Sequence, residues 1–473
     1  TEDMVPFISY GGDFKDFPND GNFCLDGYNT ADRIPKAALI ELRKVYEPVK
    51  VINFDKHTNT VIFKNMLDFA DISNIGVYYE LSKDGNILKV GNIPGLNIAP
   101  QETKTYTLEF DANIFGDVQL TFFFEYNEST PFAEKGYEVT RSQIIIDDKF
   151  EYKKPLERND LAWVETRTEY IVLGESFKVS FSKMFGNLYS YYFNGNEMLL
   201  GTGTSESFYR APGDNDVKIA KKWEEYGLDR LQKRIESYSF KANTKKAVFK
   251  VVSVFAATTK KPVLKTVTEY TVYTNGQITV NSGYEPLNDF IKFQNTDGNR
   301  ECLYLPKFGL TMQIPFEYEY VKWFGRGFHQ SYEDMNSSAV VGIYEGLIGD
   351  LQEHYEKPQE NGNRMDTRWA SFKNVQGQGV FFGGLDTFNF SASYHDAYQK
   401  AKARHLHELE ESEGITVNID YKQSGLGTAS CGPGPEDKYL LYTNPNSFSF
   451  TLSPFSDSVL DEQEMFRLRH VKK

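Results

Sequence analysis

Cysteine is scarce in this chain of 473 residues, which holds three, Cys24, Cys302 and Cys431. They lie far apart, and none belongs to the paired cysteine spacing that zinc sites and redox motifs use. The cysteines therefore indicate neither kind of site, and they say little about the compartment.

Long apolar runs and an excess of positive charge are also missing. No stretch approaches the roughly 20 apolar residues of a membrane helix. The 52 Lys and Arg residues are outnumbered by 66 Asp and Glu, and the net charge of −14 would repel a phosphate backbone. We expect no membrane and no nucleic acid partner. The first ten residues lack the pattern of an export signal, which leaves localisation open, cytoplasmic or periplasmic.

Several common motifs are absent. The sequence has no Gly-x-Ser-x-Gly elbow, no P-loop and no dinucleotide-binding glycine pattern. The motifs that usually indicate acyl transfer or nucleotide chemistry are therefore absent. It has no fixed-period repeat and no heptad run, which argues against solenoids, propellers and coiled coils.

Aromatic residues, in contrast, are abundant, with 30 Tyr and 37 Phe making up most of an aromatic share of 15%. Aromatic and β-branched residues favour pleated, half-buried surfaces. Short alternating segments are separated by the turn signals Asp84-Gly85, Asn194-Gly195 and Asn275-Gly276. The sequence therefore predicts a mainly β protein.

The chain is too long for one core, and we expect two or three domains. Residues 1–48 combine a loop with a helix that starts at Pro35, which is typical of the end of an α/β unit. Residues 49–147 read as a β-sandwich, 148–161 as a polar linker, and 162–473 as a larger β domain. Two helical patterns interrupt that domain, at residues 217–235 and 397–411.

The loop Gly11 to Arg33 is rich in oxygen donors that suit Mg²⁺ or Na⁺: Asp13, Asp16, Asn19, Asp20, Asn22 and Asp26. The same residue types build turns, and the residues alone favour that interpretation. His405 and His407 lie two apart within a helical pattern, which argues against a metal site there.

Two further features leave alternatives open. The run WFGRGFHQSYEDMNSS around Arg326 could line a sugar pocket or form a tight connection between sheets. The 66 carboxylates mark no pair for glycosidic bond cleavage. The residues alone therefore predict a β protein that is compatible with sugar binding, and they indicate no more specific function.

Five separated segments resemble, in order, those of family 2 β-galactosidases: YGGDFKDFPNDGNFCLDGYNTADRIPKAAL at Tyr10 to Leu39, ESFYRAPGDND at Glu206 to Asp216, GRG at Gly325 to Gly327, YEKPQENGNRMDTRWASF at Tyr355 to Phe372, and GLGTASCGPGP at Gly425 to Pro435. The resemblance implies a short remnant of a (β/α)₈ barrel in residues 1–48. It further implies an immunoglobulin-like β-sandwich and then a large galactose-mutarotase-like β-sandwich.

In that family the barrel supplies two glutamates that cleave β-galactosides with retention. Both precede the first matched segment, so the resemblance implies no catalytic residue here and no activity of this chain alone. By the same resemblance Phe23 and Asp26 hold Na⁺, Asn19 lies at a peripheral Mg²⁺ position, and the main Mg²⁺ ligands lie outside the chain. Asp26 stands where the family commonly has Asn, which puts the sodium site in doubt.

The implied partners are a β-galactoside, the missing barrel part, and further copies of the whole enzyme. Cys431 and Gly432 are the implied substrate-binding residues, in a loop where some members have a Trp that this sequence lacks. The change from the family's GRGP to GRGF puts lactose in doubt as the substrate. A carbohydrate-binding module remains an alternative, as does an aldose epimerase with His395 or His329 as the base.

Overall fold

The computed structural model describes residues 4, 6–110, 114–293 and 303–470, with the backbone alone at 289, 292 and 293. Within these residues the chain forms 26 strands and four α-helices. The prediction of a mainly β protein is confirmed. Cys302 lies outside the described residues. In the described part of the chain, no helix is long and apolar enough to cross a membrane.

The N-terminal segment is a loop followed by a short helix. A 3-10 helix covers Gly21–Leu25, and α1 covers Ala37–Val45, two residues after Pro35. On α1, the Nζ atom of Lys44 donates to the carbonyl oxygen of Arg141 at 2.7 Å. This contact fixes the helix against the sandwich that follows in sequence.

Seven of the described strands form a small sandwich. They form sheets of order β1-β2-β5 and β4-β3-β6-β7, in which the first, second and fifth strands pair as in immunoglobulin folds. Alternate side chains of β2 and β3, such as Phe63 and Tyr79, enter one core. The immunoglobulin-like sandwich is thus confirmed. The strands are β1 Val49–Asp55, β2 Thr60–Asn65, β3 Ile75–Lys83, β4 Asn86–Ile93, β5 Thr103–Thr107, β6 Asp117–Tyr126 and β7 Glu138–Asp148.

The rest of the described chain is built around two more antiparallel sheets. The first has the order β12-β11-β10-β9-β8. Its strands are β8 Ala162–Glu165, β9 Glu169–Leu173, β10 Phe177–Ser182, β11 Asn187–Phe193 and β12 Asn196–Glu197.

The second sheet has twelve described strands. Nine follow the order β13-β19-β24-β23-β26-β17-β16-β15-β14, β20 to β22 branch from them, and β18 pairs separately with β25. The bounds are β13 Leu200–Ser207, β14 Gln232–Ala242, β15 Lys246–Ala256, β16 Leu264–Tyr273, β17 Ile278–Pro286, β18 Tyr304–Leu305, β19 Lys307–Ile314, β20 Tyr320–Gly327, β21 Val340–Leu347, β22 Arg364–Lys373, β23 Gln378–Ser393, β24 Ile415–Gln423, β25 Leu441–Tyr442 and β26 Asn446–Ser456.

A shared core joins these two sheets face to face. Phe181 of β10 stacks on Phe249 of β15, with ring centroids 5.0 Å apart. Val172 and Leu188 from the five-stranded sheet belong to the same buried cluster as Ile278 of the large sheet. Burial of apolar area between sheets is the main stabilising term of such a layer pair. Residues 162–470 therefore contain a large β-sandwich.

The helices of this sandwich are shorter than the sequence pattern predicts. α2 covers Val217–Tyr226, α3 covers Ala397–Lys402, and α4 covers Glu462–Arg467. The predicted extension to residue 235 is wrong because Gly227 turns left-handed, with φ of 77°, and residues 232–242 become β14. The predicted extension of the second helix to residue 411 is wrong because α3 ends at Lys402 and a separate 3-10 helix, Leu406–Glu408, follows it. The remaining 3-10 helices are Asp214–Asp216, Leu228–Arg230, Asn288–Phe293, Phe316–Tyr318, Ile348–Leu351, Leu406–Glu408 and Asp437–Tyr439.

The predicted linker, residues 148–161, lies along the C-terminal segment. The rings of Phe150 and Phe466 meet edge to face at 5.1 Å. The backbone N–H of Lys153 donates to the carbonyl oxygen of Arg467 at 2.7 Å. This segment therefore makes apolar contacts that its polar composition did not indicate. The domain boundaries themselves stay predictions.

Candidate functional site

The loop Gly11 to Arg33 is shaped by its own polar side chains. The N–H of Gly12 donates to Asp16 Oδ1 at 3.0 Å, and the N–H of Gly21 donates to Asn19 Oδ1 at 3.0 Å. Asn19 Nδ2 donates in turn to the carbonyl oxygen of Asp16 at 2.9 Å. Side-chain to backbone bonds of this kind replace the ladder bonds that a loop lacks. The turn-forming interpretation of these residues thus has direct support.

The three predicted metal residues lie in this loop, in or near the short 3-10 helix that the loop contains. The amide group of Asn19 is already bonded within the loop. Phe23 lies in the helix Gly21–Leu25 and Asp26 directly follows it, and both are exposed. The buried Lys36 donates its Nζ to the carbonyl oxygen of Leu25 at 2.8 Å. The ammonium group of Lys36 is therefore bonded to the residue that directly precedes Asp26.

Asp214 connects this loop to the large sandwich. Asn22 Nδ2 donates to both carboxylate oxygens of Asp214 at 2.9 Å. Gln359 Nε2 donates to Asp214 Oδ2 at 3.2 Å, and Lys357 Nζ lies 3.5 Å from Oδ1. Three of the family-like segments therefore meet at one carboxylate.

A buried ion pair fixes the base of this junction. Arg210 donates through Nε and Nη2 to the two oxygens of Asp216, at 3.1 and 2.8 Å. Arg210 Nη2 also donates to the carbonyl oxygen of Gly425 at 3.2 Å. Burial alone would lower the pKa of Arg210, but the charge of Asp216 raises it above its usual value, so the guanidinium stays charged. The pair anchors the start of the loop that carries the predicted substrate residues.

That loop is held by two side chains from elsewhere in the fold. The carboxylate of Asp334 accepts the backbone N–H groups of Leu426 and Gly427 at 2.8 and 2.7 Å. Asn215 Nδ2 donates to the carbonyl oxygen of Gly427 at 2.6 Å, and Ser430 Oγ donates to Asn215 Oδ1 at 2.6 Å. Hydrogen bonds thus link Asn22 to Asp214 and Ser430 to Asn215. Because Asp214 and Asn215 are neighbours in the chain, the two contacts form one polar path across the junction.

The predicted substrate residues lie at the exposed tip of this loop. The N–H of Cys431 donates to the carbonyl oxygen of Thr428 at 3.1 Å, and the thiol is free and exposed. A Cβ atom at Gly432 would come within 2.8 Å of Thr428 Oγ1. This position therefore favours glycine for close packing, and Cys431 is one of the exposed side chains of the loop, with Thr428 and Ser430.

The segment around Arg326 makes structural contacts. Arg326 Nε donates to Asp366 Oδ2 at 2.5 Å and Nη1 donates to the carbonyl oxygen of Ala339 at 2.8 Å. Gln330 is buried and donates to the hydroxyl of Tyr355 at 2.9 Å. These contacts support the interpretation of the segment as a tight connection between strands.

The two proposed epimerase bases are also used in loop contacts. His329 Nε2 lies 2.8 Å from Ser338 Oγ, and His395 Nδ1 lies 2.9 Å from the carbonyl oxygen of Glu410. Burial, reinforced by the charge of Arg364, lowers the pKa of His329 to about 4, so its ring is neutral at pH 7.

Sequence reasoning on the residues alone missed Arg210, Asp214, Asn215 and Asp334. The first three lie in the family-like segment Glu206 to Asp216, which was the available signal. Asp334 lies in the segment with polar residues around Arg326, and no pattern in the sequence pairs it with residues 426 and 427, which it contacts across the fold.

The family model described as β-galactosidase small chain matches residues 173–452. This chain belongs to that family. Two further family models match regions that precede this one in the sequence. They are β-galactosidase domain 4 at residues 61–147 and the TIM barrel domain of glycosyl hydrolases family 2 at residues 2–51. The three matches follow one another along the chain in the order that its sequence motifs imply.

Curated relatives extend well beyond the matched region. A β-galactosidase of Priestia megaterium is 28% identical over 462 residues, covering 96% of this chain and 43% of that protein. A β-galactosidase of Actinobacillus pleuropneumoniae is 27% identical and covers 94% of this chain and 42% of that protein. The chain therefore spans less than half the length of the relatives it matches.

Two solved structures are similar to part of the chain. One is a galactose 1-epimerase from Lactobacillus acidophilus NCFM, with a TM-score of 0.32 and 8% identity over 63% of this chain and 99% of that one. The other is an aldose epimerase homologue from C. elegans, with a TM-score of 0.31 and 9% identity over the same shares. Scores of this size support no conclusion about fold or activity, and the mutarotase-like fold stays a prediction.

Proposed function

We propose that this chain is the C-terminal part of a β-galactosidase that hydrolyses terminal β-D-galactosyl residues with retention. Its role is to support the end of the catalytic barrel and to contribute the loop of Cys431 and Gly432 to the sugar site. The observation that carries this proposal is the polar path from Asn22 through Asp214 and its neighbour Asn215 to Ser430. This path connects the region of the family 2 barrel match to the region of the small-chain match.

Both catalytic glutamates lie outside this chain under the proposal. A covalent glycosyl-enzyme cannot form without its nucleophile, and remote binding residues do not replace it. The missing barrel portion is therefore the principal partner, on the same polypeptide or on another. We further propose that the whole enzyme is a homo-oligomer.

The proposed cations are Mg²⁺ and Na⁺. Asn19, Phe23 and Asp26 supply amide, carbonyl and carboxylate oxygens, which are donors of the right type for hard cations. When bound near a sugar, such a cation would orient hydroxyl groups and balance carboxylate charge. The contacts of Asn19 within its loop also allow a purely structural role, and the main Mg²⁺ ligands lie outside this chain.

The test compares two forms of the protein with a chromogenic β-galactoside. We expect no hydrolysis by this chain alone and hydrolysis by the chain extended N-terminally through a complete barrel. Turnover by the chain alone would contradict the proposal. Sugar binding by the chain alone, without turnover by the extended form, would favour a carbohydrate-binding module instead.

A variant tests the role of the polar path in the extended form. Asp214→Ala removes the acceptor of Asn22 and should raise KM by roughly threefold to tenfold, which corresponds to about 1 kcal/mol for a lost hydrogen bond. Asp229→Ala, which removes an exposed ion pair with Arg230, is the control and should leave KM unchanged. Equal KM values for both variants would show that the path does not shape the sugar site.

A further inference from the structure

Three potential metal ligands meet directly after α3. The ligand atoms of His405, His407 and Glu408 all lie within 4.8 Å of one another. His405 is extended, with φ of −134° and ψ of 158°, and the 3-10 turn Leu406–Glu408 follows it. The helical pattern that argued against a metal here is therefore not the conformation that forms, and the turn brings the three side chains together.

Both ring nitrogens of the buried His405 face carboxylates. Nε2 lies 2.8 Å from Asp13 Oδ2, and Nδ1 lies 3.3 Å from Glu408 Oε1. A neutral imidazole carries one N–H group, so it can donate to only one of these two carboxylates. The other nitrogen then carries a lone pair that faces a carboxylate oxygen, and a metal ion that lies between the two atoms would bind both.

Asp13 is placed to fix which nitrogen carries the hydrogen. Its Oδ2 atom accepts the backbone N–H of Tyr10 at 2.8 Å, and Arg404 Nη2 lies 3.1 Å from its Oδ1 atom. When Asp13 accepts the Nε2–H group of His405 at 2.8 Å, the Nδ1 lone pair is directed at Glu408. Histidines that bind metals through one nitrogen commonly donate the other N–H to a carboxylate in this way.

We propose that His405 Nδ1, a ring nitrogen of His407 and the carboxylate of Glu408 bind one Zn²⁺, with Asp13 as a positioning residue. Ligands about 2.0–2.1 Å from a tetrahedral zinc ion lie roughly 3.3–3.4 Å apart, and the His405–Glu408 contact of 3.3 Å already has this length. Imidazole ligands favour zinc over Mg²⁺ or Ca²⁺.

A fourth ligand position has room for water. A cavity of about 230 Å³ lies beside the two histidines and is lined also by Pro6, Phe7, Ile8, Glu356 and Leu406. Three protein ligands plus water complete a tetrahedral zinc site.

The site joins the N-terminal segment to the large sandwich. The Tyr10 ring stacks on the His405 ring at 4.6 Å, and Phe7 packs against the same ring at 5.0 Å. Arg404 Nη2 lies 3.1 Å from Asp13 Oδ1. Because Asp13 holds one side of the imidazole and zinc the other, ion binding strengthens this junction. The inference does not depend on the proposed β-galactosidase activity.

The first test is calorimetric titration of the chelator-treated chain with ZnCl₂. We expect one Zn²⁺ per chain, at least tenfold weaker binding by His407→Ala, and unchanged binding by His57→Ala. His407 and His57 are both exposed, so neither substitution should prevent folding. Absence of stoichiometric binding, or equal binding by His407→Ala, would overturn the proposal.

Two further measurements separate a bound ion from general stabilisation. Asp13→Asn keeps a hydrogen-bond acceptor but loses the charge, and should weaken binding by roughly tenfold to a hundredfold. Co²⁺ in place of Zn²⁺ should give the visible absorption of a tetrahedral site in the unsubstituted chain and lose it in His407→Ala. An octahedral cobalt spectrum that is identical in both proteins would contradict the assigned ligands.

Discussion

At the scale of single residues, the large sandwich contains buried ion pairs. Arg210 is paired with Asp216, and Lys307 Nζ lies 3.2 Å from Asp420 Oδ2. Burial raises the pKa of Asp420 to about 6 in spite of the Lys307 charge. Because a buried charge without its partner is costly, each such pair fixes one local arrangement of the chain.

The Arg210 pair gives the first prediction. Arg210→Met should lower the free energy of unfolding by about 3–5 kcal/mol, because Asp216 is left buried without its partner. Urea denaturation followed by circular dichroism measures the change. Arg230→Met breaks an exposed pair with Asp229 and should change stability by less than about 0.5 kcal/mol. Similar losses in the two variants would contradict the role of burial.

His329 gives a prediction about pH. Its pKa of about 4 in the folded chain lies below the ordinary value of about 6.5, so between these values the unfolded chain binds a proton that the folded chain refuses. Stability should therefore fall as pH drops from 6.5 towards 4. Between pH 7.5 and pH 5, the free energy of unfolding should fall by roughly 2 kcal/mol less in His329→Gln than in the unsubstituted chain.

Denaturant titrations of both proteins at the two pH values check this, with His57→Gln as the exposed control. A pH dependence in His329→Gln equal to that of the unsubstituted chain would show that His329 is not the titrating group.

At the scale of elements, local signals predicted the turns better than the helix lengths. Asp84-Gly85 and Asn194-Gly195 form two-residue turns with positive φ at all four positions, as their residue types require. The α2 pattern continues beyond Tyr226, but residues 232–242 gain more by pairing with β15 than by extending the helix. Apolar periodicity over a short segment does not distinguish a helix from a strand.

The same limit applies to the candidate site. The loop Gly11 to Arg33 and the segment Gly425 to Pro435 are visible in the sequence, and so is the segment Glu206 to Asp216 that connects them. What the sequence does not show is that Asn22 meets Asp214, because these residues are 192 positions apart. Polar contacts at such separations follow from how the sheets pack, which single-sequence patterns do not encode.

Gly227 gives a prediction for the end of α2. Its φ is 77°, and a Cβ atom there would lie 2.3 Å from the Cβ atom of Ala257. Gly227→Ala should therefore cost about 1–3 kcal/mol through strain and overlap. Gly349→Ala, where an added Cβ has no atom within 4 Å, should cost less than about 0.5 kcal/mol. Thermal unfolding of both variants measures this, and equal melting temperatures would contradict it.

At the scale of the whole molecule, the N-terminal segment contacts the large sandwich and also exposes apolar side chains. Glu41 accepts the N–H of Ser338 at 2.9 Å, and Asn22 contacts Asp214. The exposed apolar residues are Phe14 at 82%, Phe17 at 93%, Ile34 at 58% and Tyr46 at 79%. Exposed apolar surface can mark an interface when it is extensive. We expect the barrel portion of the proposed enzyme to cover this surface.

The last prediction follows from that surface. The chain alone should bind a hydrophobic dye and self-associate, because these rings are exposed to solvent, and Phe14→Ser with Phe17→Ser should reduce both effects. Phe69→Ser, at a residue 97% exposed in the small sandwich, is the matched control and should change them less. Dye fluorescence and light scattering after size exclusion make the comparison. If the chain extended through a complete barrel bound as much dye as this chain alone, the exposed rings would not be the surface that the barrel covers.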